Sequence, residues 1–122
     1  MGAEKAAVLL LKKLQAEGGS TLNIAGNGIY TCAKYGASQE QLNKLVYDIV
    51  SSVHSVHPIT KVFTGGQTGV DIAGAAAAYK LGIPCEITLP KGYLQRNVSG
   101  QDESHTREDI ETQIITFAAN IP

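Results

Sequence analysis

Cysteine is scarce in this sequence: Cys32 and Cys85 are the only two, and neither has a second thiol nearby at metal-ligand spacing. That pattern excludes a disulfide framework or a zinc knuckle and fits a reducing, cytoplasmic setting. Charge is scarce as well. Charged residues make up 17% of the chain and the formal net charge is −1, so no long-range field draws nucleic acid or an anionic membrane. An anionic ligand would have to be held by locally placed donors. Long apolar runs are also missing. The stretch Ala6 to Leu11 is followed at once by Lys12 and Lys13 and has no small-residue cleavage site, so it reads as a helix face and not as a leader or anchor. Nothing approaches the ~20 apolar residues of a membrane span, and no repeat or low-complexity tract occurs.

What is present is an ordinary globular composition. With 122 residues and 43% apolar content, the sequence predicts one domain over positions 1–122 with one core. Ala6, Ala7, Leu10, Leu11 and Leu14 recur at helical spacing until Gly18-Gly19 interrupts them. Thr21 to Gly26 reads as a strand that runs into Gly26-Asn27-Gly28, and a loop follows, with room for a further strand between Gly28 and Ala37. Ser38 and Gln41 form a capping box. Leu42, Leu45, Val46, Ile49, Val50 and Val53 then make a wide apolar stripe, running to about Ser55 before Pro58 blocks it.

Lys61 to Gly65 is the second predicted strand, a helix begins near Thr68, and Cys85 to Pro90 is the third strand, with Gly82 and Pro84 as stop signals between helix and strand. Ile110, Ile114, Phe117 and Ala118 mark a last helix, capped by Ser104 or Thr106. Alternation of this kind predicts an α/β fold: a small, doubly wound, Rossmann-like parallel sheet flanked by helices and covered on both faces. Its consequence is geometric. Strand-exit loops of a parallel sheet leave along one edge, so Gly26-Asn27-Gly28, Gly65 to Gly69 and the segment after Pro90 can meet there.

The segment "TGGQTGVD" carries the most chemistry. Gly65 and Gly66 open backbone angles closed to other residues, and Gly69 can sit in the first turn without a side chain. With Thr68 as N-cap, the free amides of the helix start would offer a site for phosphate or carboxylate. Thr68 and Asp71 are equally readable as a capping box that satisfies those amides internally, and both readings stand at this point. Asp71 would repel a phosphate on the same amides, which turns it toward a ribose, and Gln67 has donor and acceptor capacity for a ribose or base edge. Across from this loop, Lys91 and Arg96 would balance a diphosphate and Tyr93 offers a face to a base. The segment is neither a Walker loop nor G-x-G-x-x-G, since Thr31 stands where "AGNGIYT" would need its third glycine. His54 and His57 lie near a helix C-terminus with no carboxylate to complete a ligand set, so no metal and no cofactor is expected.

"FTGGQTGVDIAGAAAAYKLGIP" followed by "LPKGY" resembles the SLOG group of Rossmann-like domains. It is nearest to the branch of putative molybdenum-cofactor carriers and to small phage or bacterial relatives, over about a third of the chain, Lys61 to Asp102. The resemblance implies a domain, often dimeric, that binds nucleotide-derived ligands such as NAD- and ADP-ribose-like molecules. Carried over by position, Gly65, Gly66, Gln67, Thr68, Gly69 and Asp71 form the ligand loop, with Lys91 and Arg96 opposite; the shared sheet edge, and not the resemblance, sets Gly26-Asn27 beside it. The hydrolase branch's second motif, P-G-G-x-G-T-x-x-E, is absent from "PKGYLQRN". The reading therefore favours a binder over an enzyme: a protein that senses or sequesters a signalling nucleotide, an ADP-ribose derivative of antiviral defence for instance, as a homodimer or higher homo-oligomer. The alternatives are an N-glycosidic hydrolase using Asp71 or Asp102, a molybdenum-cofactor carrier, and a helix-based interaction module.

Overall fold

The computed structural model describes residues 3–122. Its elements are α1 (Ala3–Glu17), β1 (Thr21–Ile24), α2 (Ile29–Lys34), α3 (Gln39–Val56), β2 (Lys61–Thr64), α4 (Val70–Leu81), β3 (Cys85–Ile87), β4 (Gln95–Arg96), β5 (Asp102–Glu103) and α5 (Arg107–Ala119). β1, β2 and β3 form a parallel sheet in that order, and β4 and β5 form a separate antiparallel pair. The three expected strands are present but shorter than expected. The room between Gly28 and Ala37 holds α2 and not a strand.

α4 is the hub. Ile72 to Ala78 are all buried, and Gly74 lets the helix lie so close to β1 that a Cβ there would sit 2.7 Å from an Ile24 methyl. A helix apolar on every side has to be surrounded. α3 and α5 flank α4, α1 packs on α3, and α4 rests on the sheet. α3 begins at the expected capping box, Ser38 with Gln41, and α5 at a second one, Thr106 with Asp109. α4 ends where Gly82, at φ 72°, takes the left-handed angle that suits glycine.

Strands wound steadily in the order 1-2-3 by crossovers of one hand place their helices on one face. The core side carries Leu22, Ile24, Val62, Thr64, Cys85 and Ile87. The other carries Thr21, Asn23 and Glu86, all exposed, beside half-buried Lys61 and Phe63. There the Lys61 ammonium lies 4.9 Å from the Phe63 ring centre and 4.0 Å from the Glu86 carboxylate. Cover on both faces is therefore corrected: among the described residues, one sheet face is packed and the other is polar and open. No described helix is long and apolar enough to cross a membrane.

Candidate functional site

The exits of β1 and β2 are locked together by one backbone–backbone bond and one backbone–carboxylate bond. The Val70 amide donates to the Asn27 carbonyl at 3.1 Å, and the Gly26 amide donates to Asp71 Oδ1 at 3.1 Å. A Cβ on Gly26 would lie 2.9 Å from Val70 Cβ. One on Gly69, whose φ is 92°, would overlap the Asn27 carbonyl. α3 adds a clamp: Gln39 Oε1 accepts from the Gly69 amide at 2.7 Å, and its Nε2 donates to the Gly69 carbonyl and to Asn43 Oδ1, each at 2.9 Å.

Those bonds change the reading of the helix start. α4 begins at Val70, its N-cap is Gly69, and no side chain caps it. Thr68 instead donates its hydroxyl to the Arg96 carbonyl. The amides of Gly69, Val70 and Ile72 are taken by Gln39, Asn27 and the Gln67 carbonyl. A Thr68–Asp71 box is not formed, and of the amides at the helix start those of Gly69, Val70 and Ile72 are already engaged inside the protein. Among the described residues, the amides of Gly66 and Gln67, one step earlier in the chain, make no hydrogen bond. Successive unpaired amides of this kind form an anion-binding concavity when one residue adopts a left-handed angle, as Gly66 does at φ 73°.

The segment after β3 lies across this loop and is held by side-chain amides. Gln67 Oε1 accepts from the Arg96 amide at 2.6 Å, and its Nε2 donates to the Leu94 carbonyl at 3.4 Å. Gln95, 1% exposed, donates to the Gly66 carbonyl at 2.9 Å and exchanges hydrogen bonds with Gln113 of α5 at 2.8 and 3.2 Å. Gln67 therefore spends its side chain inside the protein and not on a ligand's edge. Beyond β4, Asn97 Oδ1 accepts the amides of Ser99 and Gln101 to close the turn into β5, and Arg96 faces Asp102 across the pair with Nε 3.0 Å from Oδ1.

Between these walls lies a cleft of about 330 Å³, lined by Gly28, Tyr30 and Thr31 from the first exit, Gln67 from the second, and Pro90, Leu94, Arg96 and Asp102 from the third. Its volume is at the lower end of ligand pockets. Tyr30, 37% exposed, supplies an aromatic face. Its ring packs on Gly100, where a Cβ would come within 2.9 Å, and the Lys34 ammonium stands 4.2 Å from the ring centre. Hydrogen bonding to Asp102 strengthens the Arg96 guanidinium's hold on its proton. Burial raises the Asp71 carboxyl above its ordinary value, partly opposed by the Gly26 amide.

Of the residues expected at the site, Gln67 and Arg96 line the cleft. Gly26, Asn27, Gly65, Gly66, Thr68, Gly69 and Asp71 build the wall behind it. Lys91 and Tyr93 fall outside the lining. Lys91 sits exposed in the turn after Pro90, and Tyr93, at φ 51°, borders a different groove beside Leu89 and Arg107. The aromatic face comes from Tyr30, whose signal was its four-residue spacing to Lys34 just after a glycine loop. Gln39 and Gln95 left no such signal. His54 and His57 serve separate structural bonds, His54 Nδ1 accepting from the Ile59 amide at 2.9 Å and His57 Nε2 lying 2.5 Å from the Gly19 carbonyl. Against known families, curated proteins and solved structures, the chain finds no match.

Proposed function

We propose that this chain binds a nucleotide-derived ligand of ADP-ribose or NAD type without transforming it, as a sensor or a sequestering protein. The observation that carries the reading is the cleft itself. All three exits of a parallel sheet contribute to one concavity, which holds an aromatic face at Tyr30, a guanidinium at Arg96 and the Gln67 end of a run of unpaired amides. Those are the elements a base, a diphosphate and their linking riboses require. The parallel unit β1-α3-β2-α4-β3, with its strand exits on one edge, and the "GGQTGVD" and "PKG" resemblance to SLOG domains support this ligand class. Sequestration of a defence signal in a cytoplasm is the role we attach to it.

The hydrolase reading keeps one support, the Asp102 carboxylate in the cleft lining, but Arg96 already engages it. Asp71 is held by the Gly26 amide behind the cleft. Mass spectrometry of small molecules released by denaturing the purified protein tests the proposal. A purine nucleotide or ADP-ribose derivative supports binding, and molybdopterin would support the carrier alternative. Incubation of the recovered compound with stoichiometric protein returns it unchanged if the chain is a binder and cleaved if it is an enzyme.

A further inference from the structure

β3 is an edge strand, and its free edge is unguarded. The Val62 amide bonds to the Pro84 carbonyl and the Thr88 amide to the Thr64 carbonyl, which fixes the parity: even-numbered residues of this segment face β2 and odd-numbered ones face outward. Among the described residues, the backbone groups of Cys85, Ile87 and Leu89 make no hydrogen bond. Pro84, which blocks edges elsewhere, stands at an inward-facing position here and leaves the outer edge open.

Beside that edge runs an apolar groove between β3 and α5, seen as two adjoining cavities of about 380 and 450 Å³. Cys85 and Ile87 line both. Tyr79, 55% exposed, and Ile115, 47% exposed, stand at one end and Leu89 at the other. Among the described residues, the only charges in the lining are Arg107 and Glu111, 3.1 Å apart on α5, so the wall is neutral and does not repel a copy of itself.

We propose that the occupant of this edge is a second copy of the chain, joined through β3 in antiparallel register about a two-fold axis at Ile87. Each Ile87 then exchanges both backbone hydrogen bonds with the partner's Ile87, and Cys85 does the same with the partner's Leu89. All outward-facing groups of the edge are satisfied at once. On the groove side the two strands present Cys85, Ile87 and Leu89 twice over, a continuous apolar band flanked by two copies of α5. On the open face Glu86 stands opposite the partner's Thr88. Charge disfavours the neighbouring register on one side: shifting the axis to Glu86 would set the two Glu86 carboxylates directly against each other, which is destabilising. The two clefts lie at opposite ends of the joined strands.

Sedimentation of the full chain and of three variants tests the register. Wild type sediments as a dimer, and Ile115→Glu, which puts a carboxylate into the apolar groove, sediments as a monomer with unchanged circular dichroism. Thr88→Glu raises the dissociation constant and Thr88→Lys lowers it, each by about fivefold, because the substitution meets the partner's Glu86 twice by symmetry. A wild-type chain that is monomeric at about 100 µM, where even a weak pair is populated, overturns the proposal. So does a dimer that Ile115→Glu leaves intact, or whose strength the two Thr88 charges fail to move in opposite directions.

Discussion

The two walls of the cleft are built from different materials. One wall joins β1 and β2 through main chain: Asn27 carbonyl to Val70 amide, with Gly26 and Gly69 stripped of side chains so that two backbones can touch. The other wall, Leu94 to Arg96, reaches the glycine loop through the amide groups of Gln67 and Gln95 and the hydroxyl of Thr68. Backbone contacts of the first kind tolerate no added atom. Side-chain tethers of the second kind can be cut one by one, so substitution loosens the second wall more readily than the first.

Substitutions sharpen that contrast in a graded series. Gly69→Val has the largest effect, since it combines a φ of 92° with a Cβ inside the Asn27 carbonyl; a loss of about 4 kcal/mol or outright failure to fold is expected in urea titration. Gln95→Ala comes next. It strips partners from the Gly66 carbonyl and Gln113, costs about 2–3 kcal/mol, and speeds amide exchange in the second wall while leaving β1 and β2 protected. Equal exchange in both walls would dissolve the distinction. Gln39→Ala, which removes the clamp on Gly69 but leaves backbone contacts in place, costs about 1–2 kcal/mol by the same assay.

The smallest effect is in pH. Burial raises the Asp71 carboxyl, so the native state holds its proton more tightly than the unfolded chain does. Stability from this group is therefore full below 3.8 and is lost as pH rises from there through the raised native value. Asp109 acts in the opposite sense: its carboxyl is lowered by the Thr106 amide, so its contribution is present above 3.8 and is lost as pH falls through the lowered value. Asp71→Asn should flatten the decline on the upper side in thermal melts at stepped pH and leave the acid side unchanged.

Much of the first wall is legible in the sequence, because its constraints are local. Glycines at 65, 66 and 69, a capping box at Ser38 and a stop at Gly82 report what the backbone does within a few residues. The alanines of α4 told how closely that helix lies on the sheet. The side-chain tethers are not legible, because Gln95 in the second wall and Gln39 on Gly69 in the first act on partners 29 and 30 residues away, and a glutamine's sequence neighbours do not reveal a distant backbone group. Thr68 misled for the same reason. A threonine before a helix favours the N-cap role, yet the Arg96 carbonyl captured its hydroxyl and passed the cap position to Gly69. Sequence order alone sets Tyr93 across from the loop, but the turn at Gly92 and its own positive φ carry it to the α5 side.

Isothermal calorimetry of ADP-ribose against wild type, Tyr30→Ala and Arg96→Ala tests the central claim that the three strand exits form one nucleotide cleft. Stoichiometric binding by wild type is expected, weakened about tenfold or more by each substitution as stacking or a charge-assisted contact is lost. Binding that neither substitution alters would place the ligand elsewhere, and an absence of heat with ADP-ribose, NAD and cyclic ADP-ribose alike would contradict the account.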